Sequence, residues 1–245
     1  MGRAGYGDRV EGIHAVSAAV EAERVRVVHI ETGRADRPEL AELIQRVQAS
    51  GGEVRRVDDV RRLADTTAPQ GVVAECRPIP AATLEDVVAT SEPAAVMVLD
   101  RIVDPHNLGA VVRSSVAAGI TGLILSDRRA APLGGAAFKA AAGSLEHARV
   151  AIVGSIAEGV ARLARMGLWT VGLDADGDRS LFGLDLLTEP VAVVVGAEGG
   201  GLSHLVADRL DVRAFIPMAG PTESLNASVA AALAAFEISR QRTAQ

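Results

Sequence analysis

The chain has 245 residues, enough for one large or two small domains, and its 49% apolar content supplies a packed core. Aromatic residues at only 2% argue against a stacking platform for splayed RNA bases, and a single cysteine, Cys76, excludes an internal disulfide and a Cys-rich zinc site. A net charge of −6 weighs against nucleic acid only where the acids share the contact face; Lys139 is the sole lysine, so any local basic patch is made of arginine.

Residues 1–6 lead into no apolar run long enough for a signal peptide, and no membrane span follows; the expectation is a cytosolic protein. No His/Asp/Glu cluster has ligand spacing, so no metal is expected. Residues 1–77 read as a small α/β unit. Residues 13–20 predict a helix and 25–30 alternate as a strand. Leu40, Leu43, Ile44 and Val47 recur at helical spacing until Gly51-Gly52 ends that helix. Short strands follow at 54–57 and 72–75. Arg77-Pro78-Ile79-Pro80 then breaks regular structure, and residues 78–93 read as a linker. Over 94–245 strands and helices alternate: strand 96–99, a helix ending at Gly119, strand 123–125, helix 136–142, helix 155–166, and strands 169–173 and 191–195. Residues 191–195 carry no polar alternation, as parallel strands buried on both faces do. The last helix presents Val229, Leu233 and Phe236 on one side, for core or dimer contact.

Three loops of small and polar residues lie between a strand and a helix. In Asp104-Pro105-His106-Asn107-Leu108-Gly109-Ala110-Val111-Val112-Arg113, Asn107 is the expected N-cap and Gly109 turns the backbone into the helix. Arg113 then lies about one and a half turns in. It has no carboxylate three or four positions away. Its guanidinium meets a distant acid, stays solvated on an apolar stem, or contacts an RNA phosphate or ribose.

The second loop is Gly196-Ala197-Glu198-Gly199-Gly200-Gly201, whose glycines allow close backbone approach and leave amides free. Its spacing and late position are not those of a dinucleotide fingerprint, which tells against a nucleotide-binding oxidoreductase. Glu198, an acid amid glycines, is placed to orient a partner. The third loop runs Ile216-Pro217-Met218-Ala219-Gly220-Pro221-Thr222-Glu223-Ser224-Leu225-Asn226. Ser224 and Asn226 both donate and accept, and either can cap the last helix.

Together, in this order, the three loops resemble the signature motifs of the SpoU/TrmH superfamily of RNA ribose 2′-O-methyltransferases. Gly12-Ile13-His14-Ala15-Val16 and Gln70-Gly71-Val72-Val73-Ala74 resemble the substrate-binding domain of bacterial 23S rRNA guanosine 2′-O-methyltransferases of the RlmB type. Pro69 departs from that group, which commonly carries histidine there. The resemblance implies a small N-terminal α/β substrate-binding domain, a C-terminal α/β trefoil-knot methyltransferase domain and a homodimer with its active sites at the interface. It implies S-adenosylmethionine as methyl donor and RNA, first a guanosine of 23S rRNA, as substrate. Arg113 matches the catalytic arginine, Asn107 its motif partner, Glu198 the acid of the second motif, and Ser224 and Asn226 the polar pair of the third. Gly196, Ile216 and Leu225 match positions whose backbone holds the cofactor. Because an arginine pKa exceeds about 12, Arg113 acts as a clamp and not as a base, with His106 an alternative base. A tRNA or an antibiotic-target rRNA is the alternative substrate, and a catalytically silent RNA-binding paralogue the alternative of another class. Residues 1–77, as an RNA-recognition domain, are expected to be removable without unfolding the rest.

Overall fold

The computed structural model describes residues 5–222 and 224–243. The chain begins with β1 (Arg9–Glu11), α1 (Ile13–Glu21), β2 (Val25–Glu31), α2 (Pro38–Ala49), β3 (Glu53–Val57) and β4 (Val72–Cys76). It continues through α3 (Leu84–Val88), β5 (Ala95–Leu99), α4 (Pro105–Ala117), β6 (Gly122–Ser126) and α5 (Gly135–Ala140). The remainder is β7 (Arg149–Val153), α6 (Ile156–Arg165), β8 (Trp169–Leu173), β9 (Arg179–Ser180), β10 (Val191–Val195), α7 (His204–Ala207), β11 (Val212–Phe215) and α8 (Ala227–Thr243).

These elements form two compact units. The first comprises Met1–Ala81 with Pro132–His147, the second Ala82–Ala131 with Ala148–Gln245. This differs from the expected division at 77 and 94 in two ways. Residues 78–93 are not only a linker: α3 lies within them, opened by a capping box between Thr83 and Asp86, with Leu84 and Val87 buried. And residues 132–147, taken as part of the second domain, belong to the first unit.

In the first unit the sheet order is β1-β4-β2-β3, with β2 parallel to β3 and β4 antiparallel to both β1 and β2. Alternation along β2 sends Val28 and Ile30 to one side, both fully buried. The apolar stripes of α1 (Val16, Ala19) and α2 (Leu40, Leu43, Val47) are buried with them. Gly12 joins β1 to α1 at φ +88, a conformation that only glycine takes at little cost.

The second unit carries a seven-stranded, all-parallel sheet in the order β7-β6-β5-β10-β8-β11-β9. Every residue of β5 and of β10 is buried, which explains why these two strands lack polar alternation. Val96, Val98, Ala192 and Val194 point to one face, packed with Leu84, Val87, Val160, Leu163 and Val206 from α3, α6 and α7. α8 packs against α4 and β10. The chain moves outward from β5 to β6 and β7, then crosses to the far side of β10. That reversal puts a topological switch point at the carboxyl ends of β5 and β10, the usual ligand position in such sheets. Among the described residues no helix is long and apolar enough to cross a membrane.

Candidate functional site

Each of the three loops follows the carboxyl end of a parallel strand: the first leaves β5, the second β10, the third β11. The first corrects the expected start of the helix. Asp104, not Asn107, is the N-cap of α4; its Oδ1 accepts from the His106 N–H at 2.9 Å, and Pro105 fills the first helical position. Gly109 therefore lies buried inside the helix and makes no turn, and Arg113 stands more than two turns in. Freed from capping, the Asn107 side chain faces the site, where its Oδ1 accepts from Asn226 Nδ2 at 3.1 Å.

In the second loop the backbone folds back on itself. Ala197 and Gly201 exchange N–H···O bonds of 3.0 and 2.9 Å, with Gly199 at φ +67 and Gly201 at φ +54. A Cβ on Gly196 would stand 2.2 Å from the Gly201 carbonyl carbon, so only glycine fits beneath the fold. Glu198, at the exposed end, accepts from Asn226 Nδ2.

The third loop ends at the cap of α8. Asn226 Oδ1 accepts from the Ser228 N–H at 2.8 Å and from Ser228 Oγ at 2.5 Å. Asn226, not Ser224, thus caps the helix, while its amide nitrogen joins Asn107 to Glu198. Asn107, Glu198 and Asn226, three of the five polar residues that the sequence singles out, converge on one hydrogen-bonded cluster from the first turn of α4 and from two loops. Ser224 and Arg113 are exposed and take no part in it; neither side chain has a hydrogen bond or ion pair to a described residue. Arg113 also lies six residues beyond Asn107 on α4, about 9 Å along the axis and about 120° away round it. Glu223 lies outside the described residues.

The backbone N–H groups of Gly196, Ile216, Met218 and Leu225 donate to no described residue. Such amides, in the loops that follow β10 and β11, suit the polar groups of a small ligand. Among the described residues no group of His, Cys, Asp or Glu could hold a metal ion. The stripe Val229, Leu233 and Phe236 does not face the core. α8 buries Ala227, Ala231, Ala234, Ala235 and Ile238 instead, leaving Val229 45% and Phe236 52% exposed beside Ser114 of α4 in an apolar groove. Asp100 and Arg101 hold the second loop, through the Ser203 N–H and the Gly201 carbonyl; their only mark in the sequence is a charged pair at the end of an apolar strand.

Residues 94–236 match the model of the SpoU rRNA Methylase family, and residues 9–82 match that described as RNA 2′-O ribose methyltransferase substrate binding. An uncharacterized tRNA/rRNA methyltransferase of Mycobacterium sp. (strain KMS) is 39% identical, the match covering 96% of this chain and 78% of that protein. The crystal structure of the SpoU methyltransferase AviRb from Streptomyces viridochromogenes with AdoMet is similar at TM-score 0.79 and 30% identity, over 97% of this chain and 91% of that one. The AdoMet-bound rRNA methyltransferase from Sinorhizobium meliloti gives TM-score 0.77 at 26% identity, over 95% and 87%.

Proposed function

This chain belongs to the SpoU rRNA Methylase family, and from that premise we propose that it moves the methyl group of S-adenosylmethionine to a ribose 2′-hydroxyl of RNA, a guanosine of 23S rRNA being the first target to test. The carrying observation is the meeting of Asn107, Glu198 and Asn226 beyond the carboxyl ends of β5 and β10, at the topological switch point. The cofactor is S-adenosylmethionine, which supplies a sulfonium methyl. The free amides of Gly196, Ile216 and Leu225 are the groups that would hold it.

A ribose hydroxyl is barely acidic, so it needs both alignment and electrostatic help. Glu198 and Asn107 fix the amide of Asn226 from two sides, which leaves that side chain oriented before RNA arrives. Arg113 clamps the hydroxyl and a neighbouring phosphate through its planar fork. Ser224, exposed beside this cluster, is the remaining donor for the ribose.

Arg113 and Asn107 lie on different sides of α4, and Ser114, the residue after Arg113, lines the apolar groove with Val229, Leu233 and Phe236. That placement supports a homodimer in which α4 and α8 form the contact and Arg113 serves the site of the second copy. The same family likeness supports a trefoil knot in the second unit. Light scattering at micromolar concentration should give a dimer mass; a fully active monomer would rule out an interfacial site. The activity itself is tested with labelled S-adenosylmethionine and ribosomal RNA or tRNA, followed by mapping of 2′-O-methyl stops. Label in tRNA alone would move the substrate, and label in neither would favour a silent RNA-binding protein.

A further inference from the structure

β5 ends on Leu99, and the next two residues carry a carboxylate and a guanidinium that the proposed chemistry does not use. Asp100 is 4% exposed. Its Oδ2 accepts from the Ser203 N–H at 2.7 Å, and its own N–H donates to the Val195 carbonyl at 2.9 Å. Arg101 has φ +62, in the left-handed region that a side chain bearing Cβ enters at a cost. From there its Nη2 donates to the Gly201 carbonyl at 3.1 Å, while Nε stands 3.6 Å from Asp100 Oδ2.

The Gly201 carbonyl thereby accepts twice, from Arg101 and from the Ala197 N–H. Loop 197–203 is pinned at its base by this one pair, and Glu198, at its free end, reaches Asn226. A non-glycine residue in a strained conformation at the switch point of a parallel sheet is where backbone strain serves function. Neither residue caps a helix. Arg101 adds no apolar surface to the core.

We propose that Asp100 and Arg101 are positioning residues: they clasp the base of the glycine loop so that the Gly196 amide is held ready before the cofactor binds, while Glu198 is held separately by Asn226. This rests on the methyltransferase function proposed above. The clasp sets affinity for S-adenosylmethionine and leaves the rate at saturating cofactor nearly unchanged.

Arg101→Gly separates this role from a structural one, because glycine relieves the strain while deleting the guanidinium. The thermal midpoint should be no lower than wild type. Amide hydrogen exchange at 197–203, measured without ligand, should be faster. The calorimetric Kd for S-adenosylmethionine should weaken about tenfold or more, the size of one lost hydrogen bond from a charged donor. The kcat should stay within about twofold. Asp100→Asn, which keeps an acceptor for Ser203 but removes the charge beside Arg101, should shift exchange and Kd in the same direction by less. Unchanged exchange and Kd in Arg101→Gly would overturn the proposal, as would a fall in kcat at constant Kd. A wild-type protein that bound no S-adenosylmethionine would refute the function proposed above and the affinity claim, while exchange at 197–203 would still decide whether the clasp exists.

Discussion

Arg113 stands exposed on α4 with no acid among the described residues to neutralise it, so replacing it disturbs nothing that holds the fold. Arg113→Ala should stay within about 0.5 kcal/mol of wild-type stability and keep its S-adenosylmethionine affinity. It should lose methyl transfer. Arg113→Lys should rescue little, because an ammonium cannot donate in a fixed fork; single-turnover assays decide it, and near-normal transfer by the lysine variant would reduce the role to charge. Cys76 is the opposite case. Burial pushes its thiol up to about 12, against the opposing pull of Arg24. A pKa raised in the folded state contributes stability below the ordinary thiol value near 9, and that stability is lost as pH rises from there towards 12. At pH 8 the native protein should resist iodoacetamide while the denatured chain is fully alkylated, as read by intact mass. Sequence showed which residues were chemical, but not their pairing. Of the arginines at 55, 56, 61 and 62, Arg55 is spent on Glu53 and Arg61 on Asp59. Arg56 and Arg62 have no ion pair to a described residue.

At the scale of elements, α8 shows why a hydrophobic stripe can mislead. Val229, Leu233 and Phe236 are three of its four large apolar side chains, and periodicity weights them most. The face that packs is nevertheless mostly alanine, with Ile238 the one large apolar side chain on it, and the small alanines let α8 lie close to α4 and β10. The far end of the helix is locked by Arg242, whose guanidinium donates to the carbonyls of Leu187, Pro93, Ala94 and Glu189. Nothing in the sequence marks an arginine that is met by carbonyls from two distant loops. Arg242→Met keeps the stem and strands those acceptors, and should cost about 2–4 kcal/mol, read from the denaturant midpoint at unchanged slope. A shift under about 0.5 kcal/mol would mean that water replaces the guanidinium at no loss. The buried strands β5 and β10 were legible because an all-apolar run admits few other readings. The start of α4 was not. Asp-Pro and Asn both signal a helix start, and only the structure shows that Asp104 takes the cap and releases Asn107 to the site.

For the whole molecule, the consequential finding is that residues 132–147 belong with the N-terminal unit. No local signal could show it, because the helix is short and its partners lie more than sixty residues upstream. Asp65 Oδ2 caps the Gly135 N–H at 2.6 Å, and Lys139 reaches Thr66 Oγ1 at 3.2 Å. Arg24 grips Glu146 through Nη2 at 2.5 Å and Nε at 2.7 Å, lying 5.7 Å from the centre of the Phe138 ring. Phe138 and Leu145 are fully buried. A fragment starting at Ala82 would therefore carry an exposed Phe138 and Leu145 and leave Glu146 without its cation. The expectation that the first 77 residues can be removed cleanly is replaced by a different one. The fragment 82–245 should bind a hydrophobic dye and aggregate at micromolar concentration, although all three site loops are intact. In the full chain, Arg24→Ala should destabilise by about 3–5 kcal/mol, because it leaves a carboxylate buried and unpaired. A fragment that stayed monodisperse, bound no dye and unfolded cooperatively would show that residues 132–147 hold their place without the N-terminal residues.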